Sequence, residues 1–377
     1  MCRSYSGARA RSDPQLRVSL VHEWLITWGG SESVLLALSR MFPQAPIFTA
    51  YHAPDPRTRA AFAGKDIRPS ALKILPLVDR TYRLSLPLMP WAFGRMDLGQ
   101  VDLVVSSSHA FAKAVAVPAG ALHLCYCHTP PRYLWDLYEE YNRGIAGRLR
   151  GPVLRRLRKA DSAAASGVHE FVANSQFVAE RIRTTYGREA RVVYPPVDVD
   201  LFQPRLRERT HFLAGGRMVR YKRLDVAIGA ANKVGAALVV FGDGPDRARL
   251  EALAGPTVRF VGRVSGEELQ ELIGASWALL FPGIEDFGIL PVEVQAAGRP
   301  VIAFRQGGAC ETVVHNETGV LYEDPSEEGL AREIRSFEPS AFEPGRCRAN
   351  ALRFAPAMFE SGIRDAIEAA FAAHVKR

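Results

Sequence analysis

At 377 residues the chain is too long for one ordinary hydrophobic core, so two domains with separate cores are expected. Hydrophobic residues at 47% and charged residues at 23% describe a soluble globular protein, and the net charge of +8 suits an anionic partner: nucleic acid, a membrane surface or a phosphorylated ligand. No aromatic-glycine ribonucleoprotein signature, zinc-finger spacing or heptad-linked basic region is present, so no nucleic-acid partner is expected.

Residues 1–15 read as a loose basic tail. The start, Met1-Cys2-Arg3-Ser4-Tyr5-Ser6, has no apolar h-region, and no run of about 18 apolar residues follows. Cys2, Cys125, Cys127, Cys310 and Cys347 are odd in number and too sparse for a disulfide framework, which points to a reducing compartment. A cytoplasmic protein without a membrane span is the expectation.

Leu16 to Val21 alternates and then runs apolar, and Ser31 to Met41 follows with helical spacing at Val34, Leu35 and Leu38, giving a β-loop-α unit. Further strands are predicted at Val101–Val105, Ala121–Tyr126, Val168–Ala173 and Val192–Tyr194. The second half repeats the unit at Phe212–Ala214, Leu238–Phe241, Val258–Val261, Ala278–Phe281 and Val301–Phe304, with helical segments between. Short apolar strands alternating with helices imply parallel sheets covered on both faces. Tyr194-Pro195-Pro196-Val197-Asp198 breaks the pattern, because two prolines oppose both helix and central-strand pairing. A hinge is predicted near residues 196–208. The domains are therefore 16–200 and 201–355, with 356–377 as a terminal helix.

Three segments carry the chemistry. Gly215-Gly216-Arg217 follows a predicted strand and Lys222 comes five residues later, so a planar fork and a point charge are available to one phosphate pair. Glu285 and Glu293 bracket the turn Asp286-Phe287-Gly288-Ile289 after the strand at Ala278–Phe281, where carboxylates can accept hydrogen bonds from sugar hydroxyls. Glu293 also reads as a first-turn carboxylate after Pro291 that stabilises a helix dipole. Gly29-Gly30-Ser31 and Gly307-Gly308-Ala309 read as turns that let backbone approach a phosphate at a helix N-terminus. His128 ends the strand through Cys125-Tyr126-Cys127 ahead of Thr129-Pro130-Pro131, a position that turns a histidine outward from the core.

Two other patterns are set aside. Asp198-Val199-Asp200 has the D-x-D form of metal-dependent transferases but lies in the hinge, and reads as turn chemistry. Cys125, Cys127 and His128 on one strand supply at most part of a tetrahedral site. No metal and no cofactor are expected.

These motifs, with His22-Glu23-Trp24-Leu25, Trp28-Gly29-Gly30, Tyr126-Cys127-His128-Thr129-Pro130 and Val193-Tyr194-Pro195-Pro196-Val197-Asp198, resemble the retaining glycosyltransferases of the GT-B fold that use nucleotide-sugar donors. Within that family they are most similar to bacterial GDP-mannose-dependent mannosyltransferases of O-antigen and exopolysaccharide assembly. The resemblance runs from about Val18 to about Gly319. It implies an α/β architecture of two Rossmann-like doubly wound domains facing a central cleft, the first for the acceptor and the second for the donor. A terminal helix in that fold crosses back to the first domain.

Carried onto this chain, the resemblance gives Glu285 the donor hexose and Glu293 the nucleotide ribose, with Phe287, Gly288 and Ile289 as backbone donors. Arg217 and Lys222 meet the diphosphate, Gly29, Gly30, Gly307 and Gly308 approach it, and His128 lies beside sugar and acceptor. In such enzymes the departing phosphate oxygen is often described as taking the acceptor proton, so His128 is left open between chemistry and positioning. The nucleotide-sugar donor is a co-substrate, and a UDP-sugar remains an alternative to GDP-mannose. The acceptor implied is a glycan, lipid-linked or part of a polysaccharide.

The stretch Arg148–Lys159, with Arg150, Arg155, Arg156 and Arg158 among Leu149, Val153, Leu154 and Leu157, reads as a basic amphipathic helix. It suits either the anionic inner face of a cytoplasmic membrane or solvated cover over the sheet. Two rival functions remain: an NAD-dependent oxidoreductase, for which Gly242-Asp243-Gly244-Pro245 lacks the G-x-G-x-x-G form, and a non-catalytic nucleotide-sugar binder.

Overall fold

A computed structural model describes residues 16–74, 82–136, 138, 144–205 and 207–374. The basic tail predicted at 1–15 lies outside them. The chain divides into two compact units. Unit 1 runs to Ala173 and adds Val178–Val193 and the chain from Glu360 on; unit 2 holds Asn174–Phe177 and Tyr194–Phe359.

Unit 1 is built on a seven-stranded sheet: β1 (Val18–Leu25), β2 (Ile47–His52), β3 (Ile67–Pro69), β4 (Leu103–Ser108), β5 (Leu122–Cys127), β6 (Glu170–Ala173) and β7 (Ala190–Val192). Their order is β3-β2-β1-β4-β5-β6-β7, and every pairing is parallel. Unit 2 has six strands: β8 (His211–Arg217), β9 (Leu238–Asp243), β10 (Val258–Gly262), β11 (Ser276–Phe281), β12 (Val301–Phe304) and β13 (Gly319–Tyr322). They are ordered β10-β9-β8-β11-β12-β13, again all parallel.

Period-two alternation explains why the unit 2 strands read as unbroken apolar runs. Leu213, Val239, Phe241, Leu279, Phe281, Val301 and Ala303 point into one buried cluster. Their neighbours Phe212, Ala214, Leu238, Val240, Ala278, Leu280 and Ile302 point into another. Both faces are covered, and each fully buried Leu or Val contributes about 1.5–3 kcal/mol relative to exposure.

The division by packing falls at Val193/Tyr194, ahead of the boundary expected after residue 200. The reason is burial: Val197, Val199 and Phe202 belong to the unit 2 core. Asp198-Val199-Asp200 lies in the turn there, with Asp200 opposite Arg348 at 3.5 Å. Pro356 opens the last helix, Pro356–His374. From Glu360 on, that helix packs with unit 1, where a Cβ on Gly362 would come within 2.8 Å of the Val193 side chain and His374 meets His169 at 4.9 Å.

Cys125 and Cys127 point into an apolar cluster with Ala165, Val168, Phe171 and Val178. Burial pushes the Cys125 thiol up to about 11. Among the described residues no group of three His, Cys, Asp or Glu side chains is arranged to hold a metal ion. Among the described residues, also, no helix is long and apolar enough to cross a membrane.

The sharpest electrostatic feature of unit 1 is Glu23, a fully buried carboxylate inside β1. It accepts hydrogen bonds from the Ser108 hydroxyl (2.9 Å) and the backbone N–H groups of His109 (3.1 Å), Ala110 (2.7 Å), Phe111 (3.0 Å) and Ala112 (2.9 Å). Burial alone raises its pKa; the charge of His109 and the ring of N–H donors overcome it, holding the carboxylate below its ordinary range. The turn after β4 is thus wound around an anion.

Replacing this anion by a neutral amide, Glu23→Gln, turns a donor toward a nest of donors. A loss of about 2–4 kcal/mol in unfolding free energy is expected, read by urea titration at pH 7. A change below about 0.5 kcal/mol contradicts this account of the turn.

Candidate functional site

Both sheets reverse their winding once. In unit 1 this happens between β1 and β4, in unit 2 between β8 and β11. At such a point the two following connections leave to opposite faces, so the carboxyl ends of the strands stay uncovered and receive ligands. Each unit gathers its polar side chains there.

In unit 2, Gly215-Gly216-Arg217 ends β8, and Arg220–Lys222 forms a short 3-10 turn beyond it. Glu285 follows β11. The Lys222 ammonium and the Glu285 carboxylate form an ion pair of 2.5 Å across the switch point, with their side chains only 15% and 19% exposed. Burial works to lower the Lys222 pKa; Glu285 overcomes it, with smaller help from Tyr221 and Glu293, and the net shift is upward. Lys222 is therefore a cation held by Glu285. Arg217 is exposed at the strand end, and no ion pair to it forms among the described residues.

The loop that carries Glu285 is clamped by glycines. Gly308 donates its N–H to the Glu285 carbonyl at 2.9 Å. A Cβ there would lie 2.2 Å from the Phe287 carbonyl oxygen, and one on Gly307 would lie 2.5 Å from that of Glu285. These glycines hold one loop against another. The helix after them, Ala309–Thr312, is a single turn, so the helix-terminus role expected for Gly307-Gly308 is not met: so short a helix has little dipole to offer.

Gly288, at φ 88°, caps the helix Ile289–Ala296, which begins two residues before Pro291. Glu293 accordingly sits beyond the first turn, and its expected role as a dipole-stabilising residue does not apply; its nearness to Lys222 is what the electrostatics register. The Phe287 side chain belongs to the core, packed on Tyr194 at 5.7 Å and Phe354 at 5.4 Å, so only its backbone is available to a ligand. The structure thus brings Lys222, Glu285, Gly307, Gly308 and Phe287 into one neighbourhood.

In unit 1, His128 follows β5, and its Nε2 lies 2.8 Å from Ser107 Oγ. Ser107 also meets His22 Nδ1 at 3.1 Å, and His22 Nε2 faces Glu32 Oε1 at 3.4 Å. His109 lies between, its ring 6.5 Å from that of His22, 6.2 Å from that of His128 and 4.8 Å from that of Trp24. Burial, then the neighbouring His109 and His22, hold the His128 pKa well below its ordinary value. His109 is also lowered, first by burial, with Glu23 acting against it. His128 is neutral at pH 7.

Gly29 caps the helix Gly30–Met41 as expected, but its first turn already carries an anion. Glu32 accepts from Ser31 Oγ at 3.0 Å, and a Cβ on Gly29 would lie 3.0 Å from its Oε2. Glu32 stays ionised despite burial, because His22 and its own backbone N–H lower its pKa.

Sequence reasoning missed Glu32, His109 and Ser107 and took His22-Glu23 only as part of a motif. The available signal was two ionisable residues inside an otherwise apolar strand.

The basic stretch forms part of the helix Gly144–Ser166. The side chains of 148–150 lie outside the described residues. Leu157 is buried and Leu154 packs against the unit 1 core. Arg158 stacks 3.7 Å from the Tyr138 ring centroid and 5.2 Å from that of Trp135 and donates to the Leu134 carbonyl, so it is a structural cation. Arg155, Arg156 and Lys159 are exposed.

Two family models match. Glycosyltransferase Family 4 matches residues 28–201, and Glycosyl transferases group 1 matches residues 200–353. A GDP-mannose-dependent alpha-(1-6)-phosphatidylinositol monomannoside mannosyltransferase of Mycobacterium tuberculosis is 32% identical over 189 residues, 42% of this chain and 49% of that protein. A D-inositol 3-phosphate glycosyltransferase of Catenulispora acidiphila is 29% identical over 229 residues, 52% and 55% of the two chains. The chain thus spans about half the length of these curated relatives.

Among solved structures, Anabaena HepE in complex with UDP and glucose is similar with a TM-score of 0.69 at 17% identity, over 94% of this chain and 99% of that one. Sucrose-phosphate synthase of Thermosynechococcus elongatus reaches a TM-score of 0.72 at 17% identity, over 94% and 100%. At that identity the likeness speaks for the fold. The two family matches follow one another along residues 28–353 and coincide with sheets of the same doubly wound kind, and the chain belongs to the GT-B glycosyltransferase family.

Proposed function

We propose that the protein is a retaining hexosyltransferase that moves mannose from GDP-mannose to a lipid-linked or polysaccharide acceptor in cell-surface glycan assembly. The observation that carries this reading is the Lys222–Glu285 pair at the β8/β11 switch point. Bond cleavage in a nucleotide sugar builds charge on the diphosphate, and a preorganised cation stabilises it at no cost of reorganisation. Lys222, already an ammonium held by Glu285, and Arg217, exposed beside it in sequence, fit that task without a metal ion. A ligand that draws Lys222 toward phosphate releases Glu285 to accept from sugar hydroxyls. Glu293 is assigned to the ribose and His128 to the sugar and acceptor.

GDP-mannose is favoured because M. tuberculosis relatives bear that donor in their names. A UDP-sugar is the second reading, supported by the structural likeness to HepE, solved with UDP-glucose.

Turnover with a panel of GDP- and UDP-sugars on a lipid-linked glycan, in excess chelator, tests the assignment. GDP-mannose is expected to support transfer, and Glu285→Gln to lower kcat/KM by about 30- to 1000-fold, the equivalent of about 2–4 kcal/mol. Unchanged kcat/KM in that variant removes Glu285 from the site, and strict dependence on an added divalent ion contradicts charge neutralisation by Arg217 and Lys222.

An enzyme with a lipid-carried acceptor works at a surface, and the exposed cations Arg155, Arg156 and Lys159 suit anionic headgroups. Their triple replacement by glutamine, leaving Arg158 in its aromatic stack, is expected to reduce sedimentation with anionic liposomes and turnover on a lipid-linked acceptor. A short soluble acceptor is used as before. Liposome binding equal to that of the parent makes this helix a solvated face.

A further inference from the structure

One short segment of unit 1 is apolar on its outer side as well as its inner side. The 3-10 turn Tyr82–Leu88 runs into the helix Met89–Phe93. Met89, Ala92 and Phe93 are buried in the unit 1 core, Leu86 packs against it, and the buried Ser85 hydroxyl meets Tyr51 Oη. With that side fixed inward, Leu84, Leu88 and Trp91 are left outward, 82%, 48% and 50% exposed. Among the described residues nine large apolar side chains are exposed, and these three fall within eight residues of chain. Exposed apolar residues scattered singly need no explanation, but a ridge of them marks an interaction surface.

The charge around the ridge gives the chemistry of the partner. From Asp66 to Asp97 the sequence holds Arg68, Lys73, Arg80, Arg83 and Arg95 against Asp66, Asp79 and Asp97, and the helix Gly144–Ser166 holds six cationic residues against Asp161, so the two segments carry +7 of the chain's net +8. Both segments stand on one face of the seven-stranded sheet: Met89, Phe93 and Leu157 share a buried cluster with Val21, Phe48 and Val104, and Leu154 packs against it. Val153, 45% exposed, adds an apolar side chain to the basic helix itself. The Arg95 guanidinium carbon lies 5.3 Å from the Trp91 ring centroid, so the aromatic side chain of the ridge already carries a cation on its face. Leucines and a tryptophan set among cations suit the headgroup boundary of an anionic bilayer, where the rings and aliphatic chains enter and the cations stay with the headgroups.

We propose that Leu84, Leu88 and Trp91 form an insertion ridge by which unit 1 sits on an anionic lipid bilayer. The choice of a bilayer rests on the reading of Arg155, Arg156 and Lys159 as headgroup contacts. The ridge adds what those cations do not supply: a part of the binding that salt does not screen.

The test uses the full chain and vesicles of phosphatidylcholine with and without phosphatidylglycerol. Sedimentation is measured in low salt and in about 1 M salt, where the Debye length falls to about 3 Å. The parent is expected to bind the anionic vesicles in low salt, to keep a measurable bound fraction in high salt, and to show tryptophan quenching by lipid brominated high in the acyl chain. Replacing Leu84, Leu88 and Trp91 by glutamine is expected to remove the high-salt fraction and the quenching and to weaken low-salt binding about tenfold. Because the three side chains are exposed, the thermal unfolding of this variant matches that of the parent. Leu84→Met with Leu88→Met, which keeps Trp91 and the apolar surface, is expected to bind as the parent does.

High-salt binding and quenching that are equal in the parent and the glutamine variant overturn the proposal, as does a parent without quenching. A lipid-free parent that is a dimer by light scattering, and is made monomeric by the glutamine variant, also overturns it, because the ridge then covers a second copy of the chain. The two membrane readings fail separately: the ridge is rejected by unchanged high-salt binding in its own variant, the cations by unchanged low-salt binding when Arg155, Arg156 and Lys159 are replaced. Turnover on a short soluble acceptor is expected to be the same in the parent and the ridge variant.

Discussion

Parallel pairing with a single reversal of winding is the constraint on which everything else in each unit depends. Next to β1 and β4, and next to β8 and β11, the connections depart to opposite faces of the sheet, so backbone and side chains at those strand ends are left to be satisfied by something other than a crossover helix. Lys222, Glu285, His22 and Glu32 lie at, or one loop away from, such an end. Glu285 and Lys222 reach each other because β8 and β11 are neighbours although many residues separate them in the chain. His22 and Ser107 meet for the same reason, since β1 and β4 pair in register through those two residues.

The two units use buried charge differently. Glu23 is satisfied completely by the chain itself, four backbone N–H groups and a hydroxyl, so it has little to offer a ligand and much to offer the loop that carries His109. Lys113 and Asp161 form a similar closed pair at 2.6 Å, with Trp135 and Tyr186 donating to the same carboxylate at 2.8 Å. Such groups cost a great deal to unpair and stabilise one arrangement of the surrounding elements. Lys222–Glu285 is of another kind. It is partly exposed and can exchange one partner for another without burying an isolated charge.

Much of this was legible in the sequence because unit 2 strands are short, apolar and bounded by glycine: each strand from β8 to β12 was found near its place. The edge strand β13 was not, since Gly319-Val320-Leu321-Tyr322 is only four residues long and opens on the glycine that presses against the Val301 carbonyl. β2 and β3 were also passed over. Ile47–His52 carries polar Thr49 and His52, and Ile67-Arg68-Pro69 ends on a residue that belongs at an edge. For the site, Arg217, Lys222 and Glu285 could be picked out because glycine turns after strands announce them. That Lys222 and Glu285 pair directly could not, because nothing in linear spacing reports which strands are neighbours. Glu32 and Ser107 were invisible for the same reason: each is an ordinary helix or strand residue until β1 and β4 are laid side by side.

The claim that unit 2 receives a nucleoside diphosphate through Lys222 is tested most directly by thermal unfolding with GDP, UDP and NAD, in the parent and in Lys222→Ala. A ligand present at about 100 times its Kd adds about 2.7 kcal/mol to the folded state and raises Tm accordingly. The account predicts a rise with a nucleoside diphosphate in the parent, a much smaller one in Lys222→Ala, and none with NAD. An equal rise in parent and variant, or a rise with NAD alone, contradicts it.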